Sequence, residues 1–178
     1  IIKGRLFSDS LPRLTFILFI LYSIPVGFHH QLMEPGIGSA WKFLQVVLTM
    51  LVVVPSLMTV FAIIATFEIA GREQGATGRF GWLKKLPWKD VRFLAPFLSM
   101  VIFIPAGAGG IVNASYQLDQ VVHNTLWITG HFHMSLAATV VMTFFGISYW
   151  LVPLLTGRTL TSGANRMGVI QSIIWAAG

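Results

Sequence analysis

The chain has 178 residues, of which 55% are apolar and only 10% are charged, and its formal net charge is +6. A water-soluble domain carries about 25% charged residues, so this composition excludes such a domain and favours a polytopic membrane protein. The chain has no cysteine, which excludes disulfide scaffolds, thiolate metal sites, iron–sulfur clusters and thiol nucleophiles. Any metal must therefore be bound by nitrogen or oxygen.

Four charge-free runs are long enough to cross the hydrocarbon layer of a membrane, which takes about 20 residues of helix. A fifth apolar run begins near Met167 and reaches the end of the sequence. We therefore predict an all-α, polytopic transmembrane helix bundle with four spans and the start of a fifth. The four runs are 14–33, 43–67, 93–118 and 120–157, the last being strongly apolar from about 126 to 155.

The positive charges indicate the orientation of these spans. Eleven of the twelve Lys and Arg residues lie on one side of the spans, and only Lys42 lies on the other. Because positively charged loops stay in the cytoplasm, the amino-terminal end and the loop at about 70–92 are predicted to be cytoplasmic. The loops at about 29–42 and 113–125 are then outer loops. The basic excess is thus a topology signal, and we predict no nucleic-acid partner.

Two adjacent histidines, His29 and His30, end the first predicted span. They follow Pro25 and Gly27, which should break the helix, and they precede a turn-like Glu-Pro-Gly sequence at 34–36. From irregular backbone, two neighbouring imidazoles can bind one metal, and imidazole-only sites suit copper, zinc or iron. The pair is therefore predicted to bind a metal ion.

Two further histidines, His131 and His133, lie roughly 8 to 10 Å along the fourth predicted helix from its outer end, at 1.5 Å per residue. Ionisable side chains at this depth are rare and mark functional sites. At 100° per residue the two side chains point about 200° apart, so they cannot bind one metal from a regular helix. Each is predicted to serve its own centre, and two haems suit this geometry because histidine is a usual axial ligand.

At these residues the sequence resembles subunit I of the haem-copper terminal oxidases, and most closely their B family, the cytochrome ba-type cytochrome c oxidases. The resemblance runs from about Leu14 onward. It implies that residues 1–178 are an internal fragment of a single transmembrane catalytic-subunit domain, within a bundle of about twelve or more helices. The segments that carry it are GFHHQ at 27–31, EPG at 34–36, PSLMT at 55–59, GGIVNAS at 109–115, residues 119–125 and GHFH at 130–133.

The resemblance implies a role for each member of the two histidine pairs. His29 and His30 would bind copper B of the binuclear centre. His131 would bind the iron of the high-spin haem, and His133 the iron of the low-spin haem. The implied cofactors are therefore two haems, one low-spin and one high-spin, and one copper ion. The third copper ligand, its cross-linked tyrosine and the second low-spin haem ligand would lie upstream of this sequence.

Four further residues receive a role from the same resemblance. Asp119 and His123 match residues beside the propionates of the high-spin haem; an exposed loop pair is the alternative. Ser56 and Thr59 belong to a stripe of polar side chains on the second predicted helix, for which interhelical packing is the alternative. They match hydroxyls of the path that brings cytoplasmic protons to the binuclear centre in the B family. The stripe has no lysine, unlike the corresponding path of the A family.

The implied function is that of the catalytic subunit of a respiratory cytochrome c oxidase, which reduces O2 to water with proton uptake and proton pumping. The implied partners are subunit II carrying CuA, cytochrome c or another small periplasmic electron donor, O2 and membrane lipid. The implied location is the prokaryotic inner (cell) membrane, with a multi-pass chain and metal sites near its outer face.

Three other functions remain open from the sequence. A nitric oxide reductase of the same superfamily would hold non-haem iron in place of copper, but its helix typically reads His-Gly-His where this chain reads His-Phe-His. A non-redox transporter or channel would use the histidines as proton sensors, which leaves their pairing unexplained. A structural intramembrane zinc protein is opposed by the angle between His131 and His133.

Overall fold

Helices make up the regular secondary structure of the chain, as its apolar composition predicts. The computed structural model describes residues 1–24 and 30–178, and in these ranges it contains no strand. A 3-10 helix (Gly81–Lys85) precedes α3, and a π-helix (His133–Val140) joins α5 to α6. The prediction of an all-α fold is confirmed. The α-helices are α1 (Ser10–Ser23), α2 (Ser39–Glu73), α3 (Val91–Ala114), α4 (Tyr116–Val122), α5 (Leu126–Phe132), α6 (Val141–Leu155) and α7 (Ser162–Ala177).

Three helical segments of the described residues are long and apolar enough to cross a membrane. They are α2, α3 and the continuous run Leu126–Leu155, which comprises α5, the π-helix and α6. These segments correspond to the second, third and fourth predicted spans. For the first predicted span the structure shows α1, which has 14 residues, while residues 25–29 lie outside the described residues.

The last helix begins earlier than the apolar run predicts. The apolar run predicts that this helix begins near Met167, whereas α7 begins at Ser162. The hydroxyl of Thr161 accepts a hydrogen bond of 3.2 Å from the backbone N–H of Ala164, so Thr161 caps the helix. The charge of Arg166 interrupts the apolar run, but a charge near a helix end does not stop the helix.

The chain forms two compact units, of which unit 1 consists of residues 1–4, 67–106 and 132–178. Its core is an aromatic cluster in which Trp82, Leu86 and Phe93 are buried. The ring of Trp88 meets the rings of Phe93 and Phe97 edge to face, with centroids 5.3 and 4.8 Å away. The segment between α2 and α3 is therefore folded onto the helices that flank it.

Asn165 ties the start of α7 to the start of α3 within unit 1. Its side-chain oxygen accepts a 2.9 Å hydrogen bond from the backbone N–H of Val91, and its amide donates at 2.7 Å to the carbonyl of Lys89. At the same helix start, the carboxylate of Asp90 accepts hydrogen bonds from the guanidinium of Arg92, and these lower the pKa of Asp90. The bond from Asn165 satisfies the backbone N–H of Val91, which has no partner within its own helix because it lies at the helix start.

Unit 2 consists of residues 5–66 and 107–131. Its amino-terminal segment is held against α2, because the backbone N–H of Phe7 donates to the hydroxyl of Thr66 at 3.2 Å. The ring of Phe7 also meets that of Phe61 edge to face at 5.3 Å. Most residues predicted to have a functional role lie in unit 2, namely His30, Ser56, Thr59, Asp119, His123 and His131.

Candidate metal centre

Two predicted metal ligands from distant parts of the sequence lie side by side in unit 2. The ring centroids of His30 and His131 are 5.4 Å apart, and the ring planes are inclined by 40°. His30 follows α1 whereas His131 belongs to α5, and both residues are half-buried. The fold thus brings together one residue from each of the two predicted histidine pairs.

Two glycines near the end of α3 make room for the imidazole of His131. A Cβ atom on Gly109 would lie 3.0 Å from Nδ1 of His131, and a Cβ on Gly110 would lie 3.3 Å from its Cε1. Both distances are tighter than an ordinary van der Waals contact, so a side chain at either position would push against the ring. The glycine backbone therefore leaves room for this imidazole and limits its position on one side.

The donor atoms of His30 and His131 fit a copper ion and a haem iron, since both metals bind imidazole nitrogen. Among residues 1–24 and 30–178, no cluster of three or more His, Cys, Asp or Glu side chains is arranged around one metal position.

The other two predicted metal ligands are placed differently. His29 lies outside the described residues, so its role in copper binding stays a prediction. His133 is the first residue of the π-helix, belongs to unit 1 and exposes its side chain. Its role as a ligand of the low-spin haem, and the predicted angle between it and His131, also stay predictions.

His123 lies between two carboxylates in unit 2. Its Nε2 is 3.3 Å from Oε1 of Glu34, and its Nδ1 is 3.7 Å from Oδ2 of Asp119. Asp119 is fully buried; this burial raises its pKa, while the charge of His123 lowers it. The sequence pairs Asp119 with His123, whereas it gives Glu34 a place in a turn and no partner. No spacing in the sequence links Glu34 to His123, because only the fold brings their segments together.

Replacing Asp119 with asparagine is expected to make stability less dependent on pH. Because burial raises the folded-state pKa of Asp119, its contribution to stability is full below the unfolded pKa and is lost as the pH rises through the folded pKa. The variant lacks this loss, so its melting temperature should decrease less than that of the wild type as the pH rises from about 4 to 7. Thermal unfolding of the whole oxidase at several pH values between about 4 and 7 measures the difference.

The matched control for this prediction is Glu34→Gln, which also converts a carboxylate beside His123 into an amide. Its side chain is 49% exposed, so this variant separates the loss of a carboxylate beside His123 from the loss of a buried one. A melting temperature of Asp119→Asn that decreases as much as that of the wild type over this pH range would contradict the argument from burial.

The hydroxyls of the predicted proton path donate to backbone carbonyls of their own helix. Ser56 and Thr59 each bond to the carbonyl four residues earlier, at 2.9 and 2.8 Å. Their oxygen lone pairs can still accept a hydrogen bond from water. Thr66 makes the same bond at 2.7 Å and also accepts from the backbone of Phe7, so it has a structural role. The path through Ser56 and Thr59 stays a prediction.

Two amide side chains of unit 2 are buried without partners. Gln45 in α2 and Asn113 near the end of α3 are fully buried. Neither amide nitrogen nor amide oxygen of these residues has a hydrogen-bond partner within the described part of the chain. An unsatisfied buried amide costs about 1–3 kcal/mol, so these atoms are suited to bind water or a polar group of a cofactor.

Comparison with known proteins identifies the family. A family profile described as Cytochrome C and Quinol oxidase polypeptide I matches residues 1–178. The chain belongs to this family. It is therefore a multi-pass membrane protein, and the resemblance to subunit I of the haem-copper oxidases is confirmed. Membership of this oxidase family implies haem and copper as cofactors.

Relatives of known name are similar over half to nearly all of the chain. A cytochrome c oxidase subunit 1 from Thermus thermophilus is 51% identical over 175 residues, which are 98% of this chain and 31% of that protein. Another from Thermus thermophilus is 48% identical over 96 residues, which are 54% of this chain and 89% of that one. A cryo-EM structure of a heme-copper terminal oxidase dimer superimposes with a TM-score of 0.87 at 34% identity, covering 98% of this chain and 31% of that chain. The chain thus spans about a third of the length of the first relative.

Proposed function

We propose that this chain is part of the catalytic subunit of a respiratory cytochrome c oxidase, which reduces O2 to water at a haem-copper binuclear centre and couples the reaction to proton uptake and pumping. The observation that carries the proposal is the pairing of His30 with His131 at 5.4 Å. The close fit of Gly109 and Gly110 to the His131 ring supports it. The names of the relatives from Thermus thermophilus point to the same activity.

Each histidine then has one role in holding a cofactor. His29 and His30 would bind copper B, His131 the iron of the high-spin haem and His133 the iron of the low-spin haem. The haems and copper supply the redox chemistry, while the protein supplies ligands, distances and access for protons. His131 and His133 belong to one helical run, so one helix would hold both haems, which would supply the electron-transfer chemistry.

Protons would reach this centre from the cytoplasmic side along α2. Ser56 and Thr59 would relay them, since each hydroxyl can accept from a water molecule while it donates to a carbonyl. Neither hydroxyl can store a proton near neutral pH. Asp119 and His123 would lie beside the propionates of the high-spin haem, where Glu34 adds a second carboxylate to the group. Assignment to the B family is supported by the absence of lysine from the polar stripe of α2.

The distribution of positive charges supports a location of the proposed metal sites near the outer face of a prokaryotic inner membrane. Residues 70–92 carry a cluster of basic side chains and would form a cytoplasmic loop, while 29–42 and 113–125 would face outward. The electron donors would then dock from the outside. They would be subunit II with its CuA centre and, through it, cytochrome c or another small periplasmic protein.

Haem and metal analysis of the whole oxidase, purified from membranes, tests the proposal. Pyridine haemochrome and reduced-minus-oxidised spectra measure the haems, and elemental analysis measures copper, iron and zinc. Two haems with copper support the proposal. Two haems with additional iron and no copper would indicate a nitric oxide reductase instead. A protein that contains no haem would contradict the oxidase assignment and leave a proton-sensing transporter.

A further inference from the structure

The run Leu126–Leu155 contains a π-helix that begins at His133. A π-helix inserts one extra residue into an α-helical run, is rare, and often occurs at functional sites. Its hydrogen-bond ladder is less regular than that of an α-helix, so neighbouring groups are needed to hold it. In unit 1 such groups come from α3, α6 and α7.

Three hydroxyls make hydrogen bonds to carbonyls of this π-helix. The hydroxyl of Thr139 donates to the carbonyl of Met134 at 2.9 Å. The hydroxyls of Ser99 and Thr143 lie 2.7 and 2.9 Å from the carbonyl oxygen of Thr139, and 2.7 Å from each other. Ser99 is only 2% exposed, so water does not replace its bonds. We call Ser99, Thr139 and Thr143 the hydroxyl cluster.

A tryptophan of α7 binds the middle of the same π-helix. The indole Nε1 of Trp175 donates to the carbonyl of Ala137 at 2.8 Å. Its ring packs edge to face on Phe145, with centroids 5.4 Å apart, which fixes the direction of the donor. Two neighbouring helices, α3 and α7, therefore each supply a side-chain donor to a carbonyl of the π-helix.

We propose that the hydroxyl cluster and Trp175 are positioning residues for His133, which direct its imidazole toward the low-spin haem by holding the π-helix. If the wide turn relaxed to an α-helix, the segments on its two sides would rotate relative to each other by about 100°. Ser99 and Trp175 hold carbonyls of residues 139 and 137, so the rotation would fall on the amino-terminal side of the π-helix. There Gly109 and Gly110 pack against His131, so the change in direction would be taken up at His133. The inference rests on the proposed function, because it requires that His133 binds haem.

The test uses Ser99→Ala and Thr139→Val in the whole oxidase, with two measurements. Hydrogen–deuterium exchange of the amides of residues 134–141 should become about two- to tenfold faster, because one net hydrogen bond is lost. The absorption band and the midpoint potential of the low-spin haem should both shift, while carbon monoxide binding by the high-spin haem stays unchanged. Thr139→Ser keeps the hydroxyl and should restore both measurements to wild-type values.

The matched control is Thr156→Val. The hydroxyl of Thr156 bonds to the carbonyl four residues earlier at 2.8 Å, but it lies at the far end of α6. This variant should match the wild type in both measurements. If Ser99→Ala does not assemble, Trp175→Phe tests the same idea, because it keeps the ring and removes only the Nε1 donor.

Two results would overturn the inference. Wild-type exchange rates in Ser99→Ala and Thr139→Val would show that the cluster does not hold the π-helix. Faster exchange with an unchanged low-spin spectrum and potential would show that the π-helix does not position His133. Both results presuppose a wild-type protein that contains two haems. A wild-type protein without haem would overturn the proposed function as well, so the two failures can be told apart.

Discussion

Replacing His131 with alanine is expected to abolish carbon monoxide binding while leaving the low-spin haem in place. The reason is that His131 would be the axial ligand of the high-spin haem, and that haem binds exogenous ligands on its open side. His133→Ala should have the opposite effect, with loss of the low-spin band and retention of carbon monoxide binding. In each variant the haem content by pyridine haemochrome should fall to about half.

Two further variants separate ligand loss from misfolding. His131→Gly and His133→Gly leave space in which added imidazole can bind the iron, so imidazole should restore the missing spectrum in each. Loss of both haems from His131→Ala without rescue by imidazole would indicate a folding defect and would not support the assignment. Retention of both haems in His133→Ala would contradict the proposed role of His133.

The membrane-spanning helices could be predicted from the sequence, but their ends could not. The charge-free run at 43–67 predicts the second span, whereas the helix itself is Ser39–Glu73. Charged residues near its end extend the helix instead of breaking it, as in the ion pair of 2.6 Å between Glu68 and Arg72 one turn apart. Charge content therefore predicts which residues can cross a membrane better than it predicts where a helix begins and ends.

The residue types of the candidate site could be predicted, but its contacts could not. Paired histidines at one membrane depth are visible in the sequence because ionisable groups are costly there. The contact of His30 with His131 and that of Glu34 with His123 depend on how separate helices pack. A sequence pattern that assumes 3.6 residues per turn also cannot predict the π-helix that begins at His133. The side chains that donate hydrogen bonds to this π-helix come from α3 and α7, which are distant in the sequence.

Replacing Gly109 with alanine is expected to weaken binding at the high-spin haem without unfolding the protein. The new Cβ would lie 3.0 Å from Nδ1 of His131, so the imidazole must move by a few tenths of an ångström. Overpacking of this kind costs about 1–3 kcal/mol, which, if it falls on ligand binding, corresponds to a loss of carbon monoxide affinity of about five- to 150-fold. Carbon monoxide titration of the reduced oxidase measures this affinity.

The fold itself should tolerate this change, which makes the prediction specific to the histidine. Alanine favours a helix over glycine by about 0.5–1 kcal/mol, so the melting temperature should change little. Gly163→Ala is the matched control, because Gly163 also lies in a helix, α7, but a Cβ there meets nothing within 4 Å. Equal carbon monoxide affinity in Gly109→Ala and Gly163→Ala would mean that the glycines of α3 do not set the position of His131. A loss of carbon monoxide affinity in Gly109→Ala alone would instead show that the backbone of α3 sets the position of the His131 imidazole.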